Sequence, residues 1–156
     1  MPVEAEVQFL NIDLLLVGRF DREPLLAAVG DGLFVLHEHA LFHRDKCLAL
    51  EVAAPGLDLS RTLARLLKWV DALPPSARRS WRAASRRVFD IGIQAGLNPH
   101  DSQWTIGRDQ VAALAKVRGE VVLTIYGAQR MSRPRPRRAP KRRPRQEKRP
   151  SERRVR

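Results

Sequence analysis

Apolar and polar residues alternate near the start of the chain, between Val7 and Val17. A period of two indicates a β-strand with one buried face, because successive side chains of a strand point to opposite sides of a sheet. We therefore predict a strand in this segment. Its buried face carries Leu10, Ile12, Leu14 and Leu16, and its opposite face carries Asn11 and Asp13.

A helical period replaces this alternation in the middle of the chain. Apolar residues recur there every three or four positions, the spacing of one face of an α-helix, and Pro74 and Pro75 end the first run. A second helix is predicted directly after these prolines. The two apolar stripes are Leu59, Leu63, Leu66, Leu67, Val70 and Leu73, and then Ala77, Trp81, Ala84 and Val88.

Shorter segments complete the pattern. "DREPLLAAVGDG" predicts a short helix, "LFVLHE" and "CLALEV" predict a hairpin, and "VFDIGIQA" and "EVVLTIY" predict two further strands around a helix at 108–117. The element order is β-α-β-β-α-α-β-α-β. This order predicts an α+β fold, in which a mostly antiparallel sheet of about five strands is covered on one face by helices.

Charge divides the chain into two parts. Residues 130–156 hold fourteen basic and two acidic side chains, so their net charge of +12 equals that of the whole chain, and residues 1–129 are neutral. The last segment also has five prolines and only three apolar side chains. Because such a composition cannot form a core, we predict a single domain at 1–129 and a disordered basic tail at 130–156.

The remaining composition narrows the class of protein. Cys47 is the only cysteine, which excludes an internal disulfide and is typical of a reducing compartment. The first ten residues contain no basic side chain, unlike a secretory signal, and "LNIDLLLVG" is too short to span a bilayer. We expect a cytoplasmic protein with no membrane span.

The segment "WTIGRDQVAALAKVRGEVVLTIYG", from Trp104 to Gly127, resembles the closing unit of a bacterial domain-of-unknown-function family. In that family a short strand, a Leu-rich helix and a final strand ending in an Ile-Tyr pair recur, and the element order over residues 5–127 is similar. The family pattern has a Trp in the opening hairpin, where this chain has histidines. The resemblance implies a single small α+β domain, and some relatives are thought to neutralise partner proteins as immunity proteins do.

The tail predicts contact with a polyanion, either DNA, RNA or another. Its cations lack interleaved aromatic residues, so it can neutralise phosphates but cannot stack on bases to read sequence. Two alternatives stay open: an extension that arose from a GC-rich coding sequence, or, in a eukaryote, nuclear import through "PKRRPR". The predicted contacts in the tail are Arg135, Arg137, Arg138, Lys141, Arg142, Arg143 and Arg145.

Two surfaces of the domain are candidate binding sites. At helical spacing, Arg78, Arg82 and Arg86 form a ridge that can grip phosphates, with an ordinary solvated helix face as the alternative. The less apolar face of the sheet and the loop at 96–104 are candidates for docking a protein partner, although a solvated sheet face has the same pattern. The predicted partner-binding residues are Asn11, Asp13, Asp90, Gln94 and Trp104.

Catalytic chemistry has little support in the sequence. His37, His39 and His43 lie within seven residues and are the candidate metal ligands, with ordinary hairpin histidines as the alternative. "HDS" at 100–102 cannot form a relay between adjacent residues, and no glycine-rich phosphate loop occurs. We expect a non-enzymatic interaction domain without a cofactor. An immunity-type partner-binding protein and a metal-dependent enzyme built on the three histidines are the alternatives.

Overall fold

The computed structural model describes residues 6–40, 45–54, 56–96 and 101–127. It contains five strands, four α-helices and one short 3-10 turn in the predicted order. The strands are β1 (Gln8–Gly18), β2 (Leu33–Ala40), β3 (Lys46–Val52), β4 (Arg86–Gln94) and β5 (Glu120–Tyr126), and the helices are α1 (Glu23–Ala27), α2 (Leu59–Asp71), α3 (Pro75–Ala83) and α4 (Arg108–Lys116), with the 3-10 turn at Gly30–Gly32.

The five strands form one sheet in the order β2-β3-β1-β4-β5. The pairs β2–β3, β3–β1 and β1–β4 are antiparallel, whereas β4 and β5 are parallel. The α+β prediction is therefore confirmed, and the sheet is mixed. The parallel pair follows from its connection, because a strand-helix-strand crossover returns the chain in the same direction.

Helices cover one face of this sheet and enclose the core. Ile12, Leu14 and Leu16 of β1 are fully buried there, together with Leu63 and Leu66 of α2. The predicted apolar stripe of α2 is thus its buried face. The helix begins at Asp58, whose side chain accepts a hydrogen bond from the backbone N–H of Arg61 at 2.8 Å, and Pro74 lies just beyond its end.

Two predicted positions were wrong. The register of β1 against β4 shifts between Phe9 and Asn11, so Leu10 leaves the core face and is 42% exposed. Val88 belongs both to the predicted helical stripe and to the predicted strand "VFDIGIQA"; α3 ends at Ala83 and Val88 lies in β4, so only its place in the helical stripe is wrong. The chain turns at Ser85, whose backbone N–H donates to the carbonyl oxygen of Val17 at 2.9 Å.

The predicted tail at 130–156 lies outside the described residues.

Candidate functional site

A basic pocket of about 510 Å³ lies where the ends of α2, α3 and α4 meet the start of β4. Among the described residues that line it, five side chains are cationic and one, Asp71, is a carboxylate. Asp71 pairs with one of the five, Lys116, at 3.1 Å. The cations are Arg78, Arg82, Arg87, Lys116 and Arg118.

Arg87 forms the floor of the pocket and is only 6% exposed. Its Nε donates to the carbonyl oxygen of Trp81 at 2.8 Å, and its Nη2 donates to those of Arg82 at 2.8 Å and Ala84 at 2.6 Å. These acceptors are carbonyls at the end of α3, which the helix itself leaves without partners. Its guanidinium carbon also lies 5.9 Å from the centroid of the Trp81 ring. Arg87 is therefore held in one position.

The charge of Arg87 is only partly compensated. Burial lowers the pKa of its guanidinium, and the nearby charge of Arg118 lowers it further, whereas Glu120 acts in the opposite direction. Desolvation is the larger cause of the lowered pKa of Arg87, and the second cause is repulsion between the charges of Arg87 and Arg118. A bound anion would relieve this repulsion.

Arg78 is fixed in a similar way on the other wall. Its Nη2 donates to the carbonyl oxygens of Asp71 and Leu73 at the end of α2, the latter at 3.1 Å. Arginine at a helix C-terminus satisfies carbonyls that lack partners within the helix. These hydrogen bonds hold the guanidinium of Arg78 at the pocket wall, where its positive charge faces the pocket.

Arg82 and Arg118 have no side-chain hydrogen bond or ion pair with any other described residue. Both line the pocket, and Arg118 occupies the left-handed region with φ of 56°. Guanidinium groups bind phosphate and carboxylate oxygens through paired N–H donors. These two arginines can therefore close on an anion that Arg78 and Arg87 already attract.

The pocket contains part of the predicted arginine ridge. Of the three ridge residues, Arg78 and Arg82 line the pocket and Arg86 does not, because α3 ends at Ala83 and the helical spacing does not continue to Arg86. Arg86 begins β4 and donates from Nη2 to Oε2 of Glu120 at 2.8 Å, an ion pair that lowers the pKa of Glu120. The seven tail residues predicted to contact a polyanion lie outside the described residues.

Sequence reasoning missed Arg87, Lys116 and Arg118. Arg86 and Arg87 are neighbours in β4, so their side chains point to opposite faces of the sheet. Which of the two points inward depends on where the strand begins, and this could not be read from the sequence. Lys116 and Arg118 lie about thirty residues further along the chain, at the end of α4. Basic residues at a predicted helix C-terminus were the available signal.

A polar band crosses the open face of the sheet, which no helix of the described residues covers. Asp13 and Asp90 are register partners on β1 and β4. Asn11 donates to Oδ1 of Asp13 at 2.8 Å and to Oε1 of Glu51 at 3.3 Å, and Thr124 donates to Oδ1 of Asp90 at 2.6 Å. Three of the five predicted partner-binding residues, Asn11, Asp13 and Asp90, therefore lie together.

Burial is the main cause that raises the pKa of Asp13, and the neighbouring carboxylates of Glu51 and Asp90 raise it further, while His37 lowers it. Three carboxylates in one band make this face an acidic surface. It opposes in sign the basic pocket among the helix ends.

The other two predicted partner-binding residues, Gln94 and Trp104, make their contacts elsewhere. Gln94 uses its Nε2 to donate to the carbonyl oxygens of Tyr126 at 3.3 Å and Gly127 at 2.9 Å, which ties β4 to the end of β5. Trp104 is 38% exposed and lines a separate cavity of about 360 Å³ near Asp58 and Gln110. The part of the 96–104 loop at 97–100 is not among the described residues.

The predicted histidine cluster is only partly described. The register of β2 against β3 sets His37 opposite Ala49 and position 39 opposite Cys47, so the two backbone positions belong to the same face. His43 lies outside the described residues. Within the described ranges, no group of three or more His, Cys, Asp and Glu side chains is arranged to hold a metal ion.

No family model, no curated protein and no solved structure matches this chain. Of the helices in the described ranges, none has the length and apolar character needed to cross a bilayer.

Proposed function

We propose that this protein is a non-enzymatic interaction domain that binds nucleic acid or another polyanion without sequence specificity. In this proposal the basic tail attracts the polyanion and the basic pocket holds one of its phosphate groups. The observation that carries the proposal is the pocket itself, in which five cations face one carboxylate. The single Cys47 supports a cytoplasmic location, where a lone thiol stays reduced.

The geometry of the pocket supports a binding role. Two arginines are fixed by backbone carbonyls, which reduces the side-chain entropy lost when an anion binds. Asp71, the single carboxylate of the pocket, is held by Lys116. The described lining has no histidine, cysteine or serine that could act as a nucleophile or a general base.

The proposed binding does not depend on nucleotide sequence, because neither the pocket nor the tail offers an aromatic ring that can stack on a base. Trp81, the aromatic side chain of the pocket lining, is 4% exposed and its indole Nε1 donates to the carbonyl oxygen of Val117 at 3.3 Å. A ring held in this way cannot stack on a nucleotide base. Residues 130–156 contain no aromatic side chain. Contacts to phosphates without contacts to bases produce binding that tolerates any sequence.

A binding titration with matched variants tests this proposal. Fluorescence anisotropy with a labelled duplex DNA and a labelled RNA would compare the full chain with Arg82→Gln/Arg118→Gln, and with a variant in which the seven named tail cations are Gln. Arg65→Gln, an exposed cation on α2, is the control. We expect both the pocket variant and the tail variant to weaken binding while the control does not. Equal affinity of all four proteins would contradict the proposal.

The second candidate is a partner-binding protein of the immunity type, as the sequence resemblance implies. The acidic band at Asp13, Glu51 and Asp90 favours it, because such a surface fits a cationic protein. Substituting Asp90→Asn would weaken binding to a cationic partner such as a basic nuclease, but would leave the affinity for DNA and RNA unchanged. Loss of DNA affinity in Asp90→Asn would contradict the assignment of the two functions to separate surfaces.

A further inference from the structure

Strand β5 forms one edge of the sheet and is apolar on the face that points toward the helices. The side chains on this face, Val121, Leu123 and Ile125, are 47%, 60% and 63% exposed. Three adjacent apolar side chains in an edge strand are unusual in a monomer, because natural proteins protect such edges with charges, prolines or bulges. Strand β5 contains neither a lysine nor a proline.

The backbone of β5 also has hydrogen-bonding groups directed away from the sheet. The carbonyl oxygen of Tyr126 accepts from the backbone N–H of Ala95, so the peptide groups of Tyr126 face β4. Peptide directions alternate along a strand, and the N–H and C=O groups of Val121, Leu123 and Ile125 therefore point to the free edge. In the described part of the chain, β5 pairs only with β4.

We propose that β5 is the interface between two copies of this chain. The two strands pair antiparallel, with Leu123 and the partner's Leu123 on the twofold axis. Leu123 then exchanges two backbone hydrogen bonds with the partner's Leu123, and Val121 exchanges two with the partner's Ile125. The two sheets become one continuous sheet.

This alignment is complementary in side chains as well as in hydrogen bonds. On the face toward the helices, Val121 packs against the partner's Ile125 and the two leucines pack against each other. The single charged residue of the strand, Glu120, lies opposite the partner's Tyr126, so like charges do not face one another. Glu120 is also neutralised by its own ion pair with Arg86 at 2.8 Å.

The other edge of the sheet is less suited to this pairing. Strand β2 exposes Phe34, Val35 and Leu36, but its register against β3 shifts between Val35 and His37. A bulge twists an edge away from regular pairing. Strand β5 keeps an unbroken register with β4 from Glu120 to Tyr126, so it presents the regular edge.

The size of the apolar patch sets the expected affinity. Pairing one edge strand of each protomer buries less area than a standard interface, which places the dimer among the small, reversible interfaces. We expect a dissociation constant in the range of about 1–100 µM, typical of small reversible interfaces.

Analytical ultracentrifugation of the full chain at high salt, up to about 500 µM, would test the dimer directly. We expect a reversible monomer–dimer equilibrium. Leu123→Lys would place two like charges on the axis and raise the dissociation constant by at least about 100-fold. Val111→Lys, at a residue of α4 that is 54% exposed, is the matched control and should leave the dimer intact.

Hydrogen exchange of the backbone amides tests the same interface in the unsubstituted protein. The amides of Val121, Leu123 and Ile125 should gain protection as the protein concentration rises, while those of Val122 and Thr124 are protected at all concentrations. A monomer at every concentration would overturn the proposal. So would a dimer that persists in Leu123→Lys with an unchanged dissociation constant, because it would use another surface.

Discussion

Gly119 lies directly against the ring of Phe89, because a Cβ atom at this position would be 2.7 Å from Cε2 of Phe89. The backbone N–H of Gly119 also donates to the carbonyl oxygen of Leu114 at 2.8 Å, which ends α4 and turns the chain into β5. This contact joins the end of α4, which carries Lys116 of the basic pocket, to the core of the sheet.

The variant Gly119→Ala should lower the free energy of unfolding by about 1–3 kcal/mol, since a buried methyl group would push against an aromatic ring that has no space to move. Urea denaturation measures this change. Gly127→Ala is the control, because no atom lies within 4 Å of the Cβ position at Gly127. Equal stability of the two variants would show that Phe89 can shift.

Arg118→Gly should raise the free energy of unfolding by about 0.5–1 kcal/mol, because glycine adopts a positive φ without the steric penalty of a side chain. The same substitution removes a cation from the pocket and should weaken polyanion binding. Thermal unfolding and a binding titration on the same sample separate the two effects. A destabilised protein would mean that the Arg118 side chain supports the fold.

Arg87→Met should lower the free energy of unfolding by about 2–4 kcal/mol, because three carbonyl oxygens at the end of α3 would lose a charged donor. Arg82→Met is the matched control and should change stability by less than about 0.5 kcal/mol, since Arg82 is an exposed side chain. Chemical denaturation of both variants gives the comparison. Similar losses in the two variants would contradict the structural role assigned to Arg87.

Asp13→Asn should stabilise the protein at neutral pH. The pKa of Asp13 is raised in the folded state, so its ionised form opposes folding at a pH above that raised pKa. The gain should be below about 1 kcal/mol because Asp13 is only half-buried and solvent screens its charge. Below the ordinary pKa of 3.8, Asp13 is protonated in both states and the gain should vanish. Melting temperatures of both proteins between pH 3 and pH 8 test this, and a gain that persists at pH 3 would assign it to packing.

The element order could be predicted from the sequence because alternation and helical spacing are local signals, whereas the register that sets Asp13 opposite Asp90 depends on the strand order and could not. The position of Leu10 could not, since a single bulge reverses the face of a residue and depends on the partner strand. The sequence predicted an arginine ridge, and the pocket that two of its residues line was not predicted. Arg78 and Arg82 share one helix, whereas Arg87 and Arg118 meet them through the tertiary packing of β4 and α4.

The order of elements in the sequence favours the parallel pairing of β5 with β4. A strand, a helix and a strand in succession favour a parallel crossover, and "VFDIGIQA", the helix at 108–117 and "EVVLTIY" follow this order. That Val121, Leu123 and Ile125 are exposed is not visible in the sequence, because a β-branched run is also typical of a buried strand.

The central claim is tested most directly by the salt dependence of duplex DNA binding. For the full chain, a plot of log association constant against log salt should have a slope near −8 if about nine cations contact phosphates, namely the seven tail cations together with Arg82 and Arg118. Replacing the seven tail cations by Gln should make the slope shallower by about six, and Arg82→Gln/Arg118→Gln in the full chain should make it shallower by about two. Slopes that are the same for all three proteins would contradict the account.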